Sequence, residues 1–331
     1  MKNVLRAIFC LVILCLGYSE APAQKDRSKI EISAPKSYRP PTMNASADLE
    51  AMLKESVGVV LERAGGKNFK ADEIAATLID LRDPQNLKWA NVGGEKPIYP
   101  ASVVKMFYMA ALERQLEDGK VTLTPELSRG LKDMIVDSSN EATQYILDVL
   151  TETSSGGELP SKEFDAWQFK RNRVNRFFAS MGYTNINVNQ KTFCEDAYGI
   201  EQQSRKYKGQ NRNMITTNAT ARLLAEIVLG RMNTRERTQR MMDLMKRDPF
   251  AGSTDPNDQA VGFTGKALID AKLTGAKLWS KAGWTSKARH DAAYIETPDG
   301  LKFVLVVYTE NHANDREAIP SIAGKILERM K

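Results

Sequence analysis

The sequence predicts an α+β fold, in which strands from both chain ends form one antiparallel sheet flanked by helices, beside an all-helical lobe. Near the start, residues 74–81 form a short apolar segment with the length of a strand. Near the end, three more segments have strand character, and most of the chain between has the apolar spacing of helices. Strands that are far apart in sequence but share a sheet indicate one two-lobed body rather than two independent domains.

Composition and charge exclude several classes of function. Hydrophobic residues make up 42% and charged residues 27% of the 331-residue chain, as in globular proteins. The two histidines, His290 and His312, are too few for a three-histidine zinc site. Because neither H-E-x-x-H nor C-x-x-C occurs, we expect no metal and no cofactor. The net charge of +6 comes without a long basic run, so no nucleic acid partner is expected.

The N-terminus has the pattern of an export signal. Lys2 and Arg6 precede the apolar run 7–17, and Ala21-Pro22-Ala23 supplies the small residues of a cleavage site. We therefore expect residues 1–23 to be a signal peptide. The apolar run is shorter than the about 20 residues that span a bilayer, which argues against a membrane anchor that persists after cleavage. The mature protein is expected to be exported, periplasmic or extracellular, and monomeric.

The segment after the signal peptide is predicted to be an extended tether. Residues 24–44 contain three prolines and no sustained apolar period. The folded body is then expected to span residues 45–331. Of the three cysteines only Cys194 lies in that body, so its stability cannot come from an intramolecular disulfide.

The remaining elements follow from apolar spacing and from capping residues. Ser46 fits the N-cap of a first helix that runs to about residue 61. Further helices are predicted over 102–116, 124–135, 141–150, 163–181, 216–229 and 319–330. Strands are predicted over 278–281, 290–297 and 301–309, the last two joined as a hairpin. Residues 185–213 show no period and are rich in Asn, Gln and Gly, which is typical of a long functional loop.

A Ser-x-x-Lys pattern opens the helix that begins at Ser102. The spacing places Lys105 one turn from Ser102 on the same face, where a desolvated amine could accept the seryl proton. The same pattern also occurs at Ser33, where a proline argues against a helix, so position must decide between the two. The simpler alternative for Ser102 is an N-cap beside a solvated lysine.

Two further motifs offer groups that suit the same chemistry. In Ser138-Ser139-Asn140, a second hydroxyl could relay a proton, and the Asn140 amide could hold a lysine and a substrate carbonyl. Capping of the next helix explains these residues equally well. On a late strand, the Lys281 cation could bind a substrate carboxylate and Gly283 permits close backbone approach. The backbone N–H groups of Trp284 and Ser102 could then face an oxyanion.

The order of these motifs resembles that of the penicillin-recognising serine acyl-transferases, and among them the class A β-lactamase group. The resemblance covers about residue 45 to the C-terminus, and includes Thr216-Thr217 leading into a helix after the long loop. It implies a β-lactamase/transpeptidase-like catalytic domain with Ser102 as the acylated nucleophile and Lys105 as its proton acceptor. It also implies that Ser138 delivers a proton to the leaving nitrogen beside Asn140, while Lys281 binds the substrate carboxylate.

The sequence departs from the family pattern at several places. The middle motif has Ser139 where the family has Asp, and Ala282 replaces a threonine. Ser102 and Ser138 are only 36 residues apart, which predicts a more open cleft. The long loop lacks the family's Glu-x-x-x-Asn, so neither Glu195 nor Glu201 can be assigned as the group that activates the deacylating water.

These observations lead us to expect an exported serine hydrolase that acts through an acyl-serine intermediate on a small-molecule substrate, most readily a β-lactam amide. The first alternative is a penicillin-binding protein, a peptidase acting on peptidoglycan-derived peptides, or another amide or ester hydrolase. The second alternative is a binding or sensor module that keeps the fold without turnover.

Overall fold

The computed structural model describes residues 29–63 and 69–330 of the chain. The predicted signal peptide lies outside the described residues, and so does the start of the predicted tether. The chain forms a seven-stranded mixed sheet with helices on both faces. The predicted α+β class, with a sheet formed from both chain ends, is therefore confirmed.

Strands from the two chain ends lie side by side in the sheet. The order across it is β1-β3-β2-β7-β6-β5-β4, and β2 pairs antiparallel with β7 from Ile74 opposite Thr309 to Asp80 opposite Phe303. Among the strands of the described residues, β1 alone runs parallel to its neighbour, β3. The strands are β1 (Met43–Ala45), β2 (Ile74–Asp80), β3 (Leu87–Val92), β4 (Lys246–Arg247), β5 (Lys277–Trp284), β6 (Ala288–Glu296) and β7 (Lys302–Glu310).

Helices cover the two faces of the sheet. The described α-helices are α1 (Ala47–Leu61), α2 (Lys105–Glu117), α3 (Pro125–Ile135), α4 (Asn140–Thr151), α5 (Ser161–Arg171), α6 (Arg173–Ser180), α7 (Ile200–Arg205), α8 (Thr217–Val228), α9 (Arg235–Met245), α10 (Thr264–Asp270) and α11 (Ala318–Arg329). As predicted, Ser46 caps α1, and of the pair Thr216-Thr217 it is Thr216 that caps α8, each by accepting a backbone N–H with its hydroxyl.

Two hydrophobic cores lie on opposite faces of the sheet because strand side chains alternate. Along β7, Val304, Val306 and Tyr308 face the core that is shared with the helical lobe. The alternate residues Phe303 and Leu305 face a second core beneath α1, α10 and α11. Helix α2 is buried along nearly its whole length in the first core, so the residues at its start are held by a rigid element.

The structure differs from the sequence prediction at several elements. The helix predicted over 163–181 is two helices, because Asn172 leaves the helical path between the buried side chains of Arg171 and Arg173. Helix α9 was not predicted, since it buries only Met241 and Met245 and is otherwise mostly polar. The other elements without a prediction are β1, β3, β4, α7 and α10.

The segment predicted as a tether is extended, but it is docked on the helical lobe rather than free. Ile30 and Ile32 are buried, and the Glu31 carboxylate accepts hydrogen bonds from Arg173 and Arg176 at 2.9–3.1 Å. The sequence could not show this because its partners lie about 140 residues further along the chain.

Candidate active site

Ser102 lies in a short 3₁₀ helix, Ala101–Val104, that leads directly into α2. This turn packs against β5 and β6, and the Ser102 residue is only partly buried. Ala101 before it has φ of +46°, a left-handed conformation that costs energy for any residue with a side chain. Such strain persists only where the surroundings enforce it, and it is common beside reacting groups.

Lys105 is fully buried one turn after Ser102 and points at the turn between α3 and α4. Its Nζ lies 2.5 Å from the Ser138 carbonyl oxygen, 3.0 Å from Asn140 Oδ1 and 3.3 Å from Ser138 Oγ. Burial lowers the pKa of Lys105 from 10.5 to about 7, against the opposing influence of Glu141 and Cys194. Much of the amine is therefore unprotonated near neutral pH.

In the Ser138-Ser139-Asn140 turn, one residue caps a helix and the other two contact Lys105. The Ser139 hydroxyl caps α4 by accepting the N–H of Ala142 at 3.1 Å, so the capping interpretation holds for this residue. Ser138 has φ of +59°, which turns its side chain and carbonyl towards the lysines. The structure thus brings Ser138 and Asn140 to Lys105 as the motif analysis expected.

Lys281 lies on β5 on the other side of Ser138 and is also fully buried. Its Nζ contacts Ser138 Oγ at 3.0 Å, Gln259 Oε1 at 2.6 Å and the Ala282 carbonyl oxygen at 2.8 Å. Burial holds the pKa of Lys281 well below its usual range, and Lys105 adds to the effect. One hydroxyl, that of Ser138, therefore lies between two amines.

Gly283 allows β5 to approach the 3₁₀ helix closely. A Cβ at this position would lie 2.7 Å from the Ser102 backbone nitrogen and 2.8 Å from the Pro100 carbonyl oxygen, distances that side-chain carbons do not adopt. Trp284 follows at the end of the strand, 39% exposed and with its ring near that of Phe263. Because position 283 is a glycine, the end of β5 can pack against the backbone at Ser102. The Trp284 N–H therefore lies on the strand end next to the Ser102 N–H.

The two glutamates of the long loop have different surroundings. Glu201 is buried, and its carboxylate accepts hydrogen bonds from Arg171 at 2.6 and 2.7 Å and from Ser155 at 2.9 Å, with Lys191 at 3.3 Å. Burial alone would raise the pKa of Glu201, but the bonds from Arg171 outweigh it and hold the pKa below its usual range. Glu195 is exposed.

The loop also brings Cys194 to the site, a residue whose sequence context predicts no role there. The Asn140 Nδ2 group donates to Cys194 Sγ at 3.4 Å. Cys194 is a free, exposed thiol. It therefore lies on the loop side of the cleft, next to the amide that contacts Lys105.

Gln259 and His290 also support the site, although nothing in their local sequence marks them for the roles that they have. Gln259 belongs to an irregular loop, yet its amide contacts Lys281. His290 is buried, and its Nδ1 accepts the Thr309 N–H at 3.1 Å. Its Nε2 must then carry the proton, so it donates to the Tyr99 carbonyl oxygen at 2.9 Å and fixes the chain that leads to Ser102.

The described residues contain neither a cluster suited to a metal ion nor a helix suited to cross a membrane. Among residues 29–63 and 69–330, no cluster of three or more His, Cys, Asp or Glu side chains could hold a metal ion. In the same part of the chain, no helix is both long and apolar enough to cross a membrane.

Comparison with solved structures finds the same fold in β-lactamases. TLA-1 extended-spectrum β-lactamase superposes with a TM-score of 0.61 at 17% identity, covering 85% of this chain and 99% of that one. The β-lactamase from Sphaerobacter thermophilus gives 0.59 at 18% identity over 84% and 96% of the two chains. A mutant of PBP-A, solved as an acyl-enzyme complex with penicillin-G, gives 0.56 at 18% identity over 88% and 98%.

Sequence comparison identifies the family. No curated protein matches the chain. The sequence model of the β-lactamase enzyme family, Beta-lactamase2, matches residues 60–330. This match includes both lysines, the Ser138 turn and β5, and it agrees with the fold. The chain therefore belongs to the β-lactamase enzyme family and is a hydrolase of the β-lactamase type.

Proposed function

We propose that this protein is an exported serine hydrolase that acts through an acyl-enzyme on Ser102, with β-lactam amides as its preferred substrates. The observation that carries the proposal is the buried amine of Lys105. This residue lies one helical turn after Ser102, and burial lowers its pKa to about 7. A hydroxyl needs a base to become a nucleophile at neutral pH, and a desolvated lysine supplies one.

The hydrogen bonds of Lys105 suit a neutral amine. The Ser138 carbonyl oxygen and Asn140 Oδ1 can only accept, so together they occupy two N–H groups. A neutral amine has just two such hydrogens and one lone pair. The lone pair is then available for the Ser102 proton while Ser102 Oγ attacks the substrate carbonyl carbon.

The bond changes of acylation can be assigned to named groups. As the Oγ–C bond forms, negative charge develops on the carbonyl oxygen, and the N–H groups of Ser102 and Trp284 are the proposed donors to it. As the C–N bond of the amide breaks, the departing nitrogen takes a proton from Ser138 Oγ. The Lys105 ammonium, which gained the Ser102 proton, can restore the Ser138 proton across their 3.3 Å contact.

Deacylation requires a water to attack the ester carbon and to release Ser102. In this loop the buried Glu201 is already occupied by Arg171 and Lys191, so it is poorly suited to act as the base for that water. This observation favours a second candidate function. An enzyme that acylates readily and deacylates slowly would behave as a penicillin-binding protein or as a peptidase for peptidoglycan-derived peptides.

A chromogenic cephalosporin, combined with intact-mass analysis, distinguishes the candidates. Steady turnover that is lost in Ser102→Ala supports the β-lactamase, whereas a lasting mass increase without turnover supports the penicillin-binding role. If folded wild-type protein gives neither signal, acyl-serine chemistry on β-lactams is wrong and a non-catalytic module becomes the better account. Export is tested separately, by locating the N-terminus of the protein recovered from the cell envelope.

A further inference from the structure

Gln259 joins three elements around the candidate site. It lies in the loop between β4 and α10, is 7% exposed, and contacts both β5 and the end of α3. Its Oε1 accepts from Lys281 Nζ at 2.6 Å and from the Ala282 N–H at 3.1 Å. Its Nε2 donates to the carbonyl oxygens of Val136 at 2.9 Å and Ile135 at 3.3 Å.

The orientation of the Gln259 amide is fixed by these partners. The Ala282 N–H can only donate, so it requires the oxygen of the amide on its side. The carbonyl groups of Ile135 and Val136 can only accept, so they require the nitrogen. Lys281 therefore faces a neutral oxygen rather than a carboxylate.

The carbonyl groups that Gln259 satisfies lie at the end of α3, where a helix leaves such groups without partners. Two residues later the chain reaches Ser138, whose hydroxyl contacts Lys281. The amide thus connects the strand that carries Lys281 to the turn that carries Ser138. Ser138 is the group proposed to protonate the leaving nitrogen, and Lys281 is the amine that contacts its hydroxyl on the side away from Lys105.

The hydrogen bonds of the Lys281 amine hold it firmly in place. Its Nζ has three oxygen partners, on Ser138, Gln259 and Ala282, and the contact with Gln259 is the shortest. An ammonium has three N–H groups, so each would have one partner and none would be left over. Removing the Gln259 oxygen would free one N–H and let the flexible side chain move away from Ser138.

We propose that Gln259 is a positioning residue, which holds Lys281 against Ser138 and so maintains the path that delivers a proton to the leaving nitrogen. This inference rests on the proposed acyl-enzyme function. It assigns to Gln259 no contact with substrate; the residue acts through Lys281 and through the end of α3.

The charges around Lys281 make pH a suitable readout. Lys105 on α2 and Arg247 on β4 disfavour its charged form, and Asp291 on β6 favours it. Replacing the neutral Gln259 with a carboxylate would add a second favourable partner in direct contact, whereas leucine would remove the acceptor. If the charged Lys281 holds Ser138 in place, the acylation rate should fall at high pH where Lys281 loses its proton. This basic limb should move to higher pH in Gln259→Glu and to lower pH in Gln259→Leu.

The test measures the acylation rate constant by rapid-quench intact mass from pH 5 to 10, using penicillin G as the probe. Gln259→Leu is expected to acylate at least tenfold more slowly than wild type at pH 7, and Gln259→Glu to retain more of the rate while its basic limb shifts upward. Gln203→Leu is the matched control, because the Gln203 amide likewise bridges backbone groups, those of Leu159, and contacts neither lysine.

The outcomes separate this inference from the proposed function. If wild-type protein forms no adduct, the acyl-enzyme proposal fails. If wild type acylates and both Gln259 variants, shown to be folded by thermal unfolding, have the wild-type rate and pH profile, the positioning role is wrong. A loss that Gln203→Leu shares, without any shift of the basic limb, would likewise assign Gln259 to general stability and overturn the proposal.

Discussion

At the scale of single residues, two buried lysines lie on either side of one serine hydroxyl. Lys105 and Lys281 both contact Ser138 Oγ, at 3.3 and 3.0 Å, and neither side chain is exposed. Burial lowers the pKa of both amines, and the charge of Lys105 lowers the pKa of Lys281 further. The arrangement gives a base and a proton donor in one small volume.

We predict that Lys105→Ala abolishes acylation of Ser102 near neutral pH. Removing a positioned base typically costs about 10²–10⁴-fold in rate. In the wild type the base is the unprotonated amine, so the acidic limb of the acylation rate should rise with pH through about 7, the pKa of Lys105. Intact-mass time courses would measure both effects. Lys132→Ala is the control, because Lys132 is an exposed lysine on α3, and this variant should acylate as the wild type does. An unchanged acylation rate in Lys105→Ala would exclude Lys105 as the base.

Gly283→Ala should damage the site although it adds a single methyl group. The new Cβ would meet the backbone at Ser102, Pro100 and Val103 at 2.7–2.9 Å, and backbone cannot move aside as a flexible side chain can. We expect acylation to fall about 10²–10³-fold, as for loss of one oxyanion donor. Gly324→Ala in α11 is the matched control, since a Cβ there meets nothing within 4 Å and should leave acylation intact. Equal acylation by the two variants would show that the close approach at Gly283 does not matter.

At the scale of elements, a buried group of charged side chains helps to hold the long loop of residues 185–213 in place. Within it, Glu201 on α7 is paired with Arg171 on α5 and lies 3.3 Å from Lys191, and all three side chains are almost completely buried. An apolar period cannot reveal such a loop, because polar residues hold it in place. This is why the sequence predicted a functional loop but gave neither α7 nor the role of Glu201.

We predict that Glu201→Gln destabilises the protein strongly without selectively slowing deacylation. Removing one partner of a buried ion pair typically costs about 3–5 kcal/mol, because the cations Arg171 and Lys191 lose their compensation. The free energy of unfolding in urea would measure the loss. At a temperature where both proteins are folded, the lifetime of the acyl adduct should match the wild type.

Glu195→Gln is the control, because Glu195 is exposed and its removal should leave the free energy of unfolding unchanged. A stable, folded Glu201→Gln variant with a greatly lengthened adduct lifetime would contradict this account. In that case Glu201 would be the group that activates water despite its ion pairs.

The sequence was sufficient for elements whose signals are local. Ser46, Thr124 and Thr216 each cap the helix that was predicted to begin beside them, and β5, β6 and β7 follow one another as expected. The three motifs also predicted which side chains meet at Ser138. Gln259 and His290 could not be found in this way, because each acts on backbone or side-chain groups more than 20 residues away that only the fold brings near.

At the scale of the whole molecule, the N-terminal segment stabilises the helical lobe. Ile30 and Ile32 are buried, and Glu31 is one of two ion-pair partners of Arg173, which is not exposed. Tyr38 donates to Glu226 at 2.8 Å on α8. The segment therefore connects the start of the folded chain to helices on the lobe that carries Lys105 and Ser138.

A chain that starts at Met43 should be less stable than one that starts at Gln24, the predicted mature N-terminus. Loss of the two buried isoleucines alone should lower the free energy of unfolding by about 3 kcal/mol, and Arg173 would lose a partner. Thermal and urea unfolding would measure the difference. Identical unfolding curves would show that residues 29–42 do not contribute as their contacts imply.

The most direct test of the central claim is to locate the acyl group after treatment with penicillin G. Trapped protein would be digested, and tandem mass spectrometry would assign the added mass to a residue. The account predicts a mass increase equal to one penicillin G molecule on Ser102, absent from Ser102→Ala. An adduct on any other residue, Cys194 included, or an adduct that persists in Ser102→Ala, would contradict it.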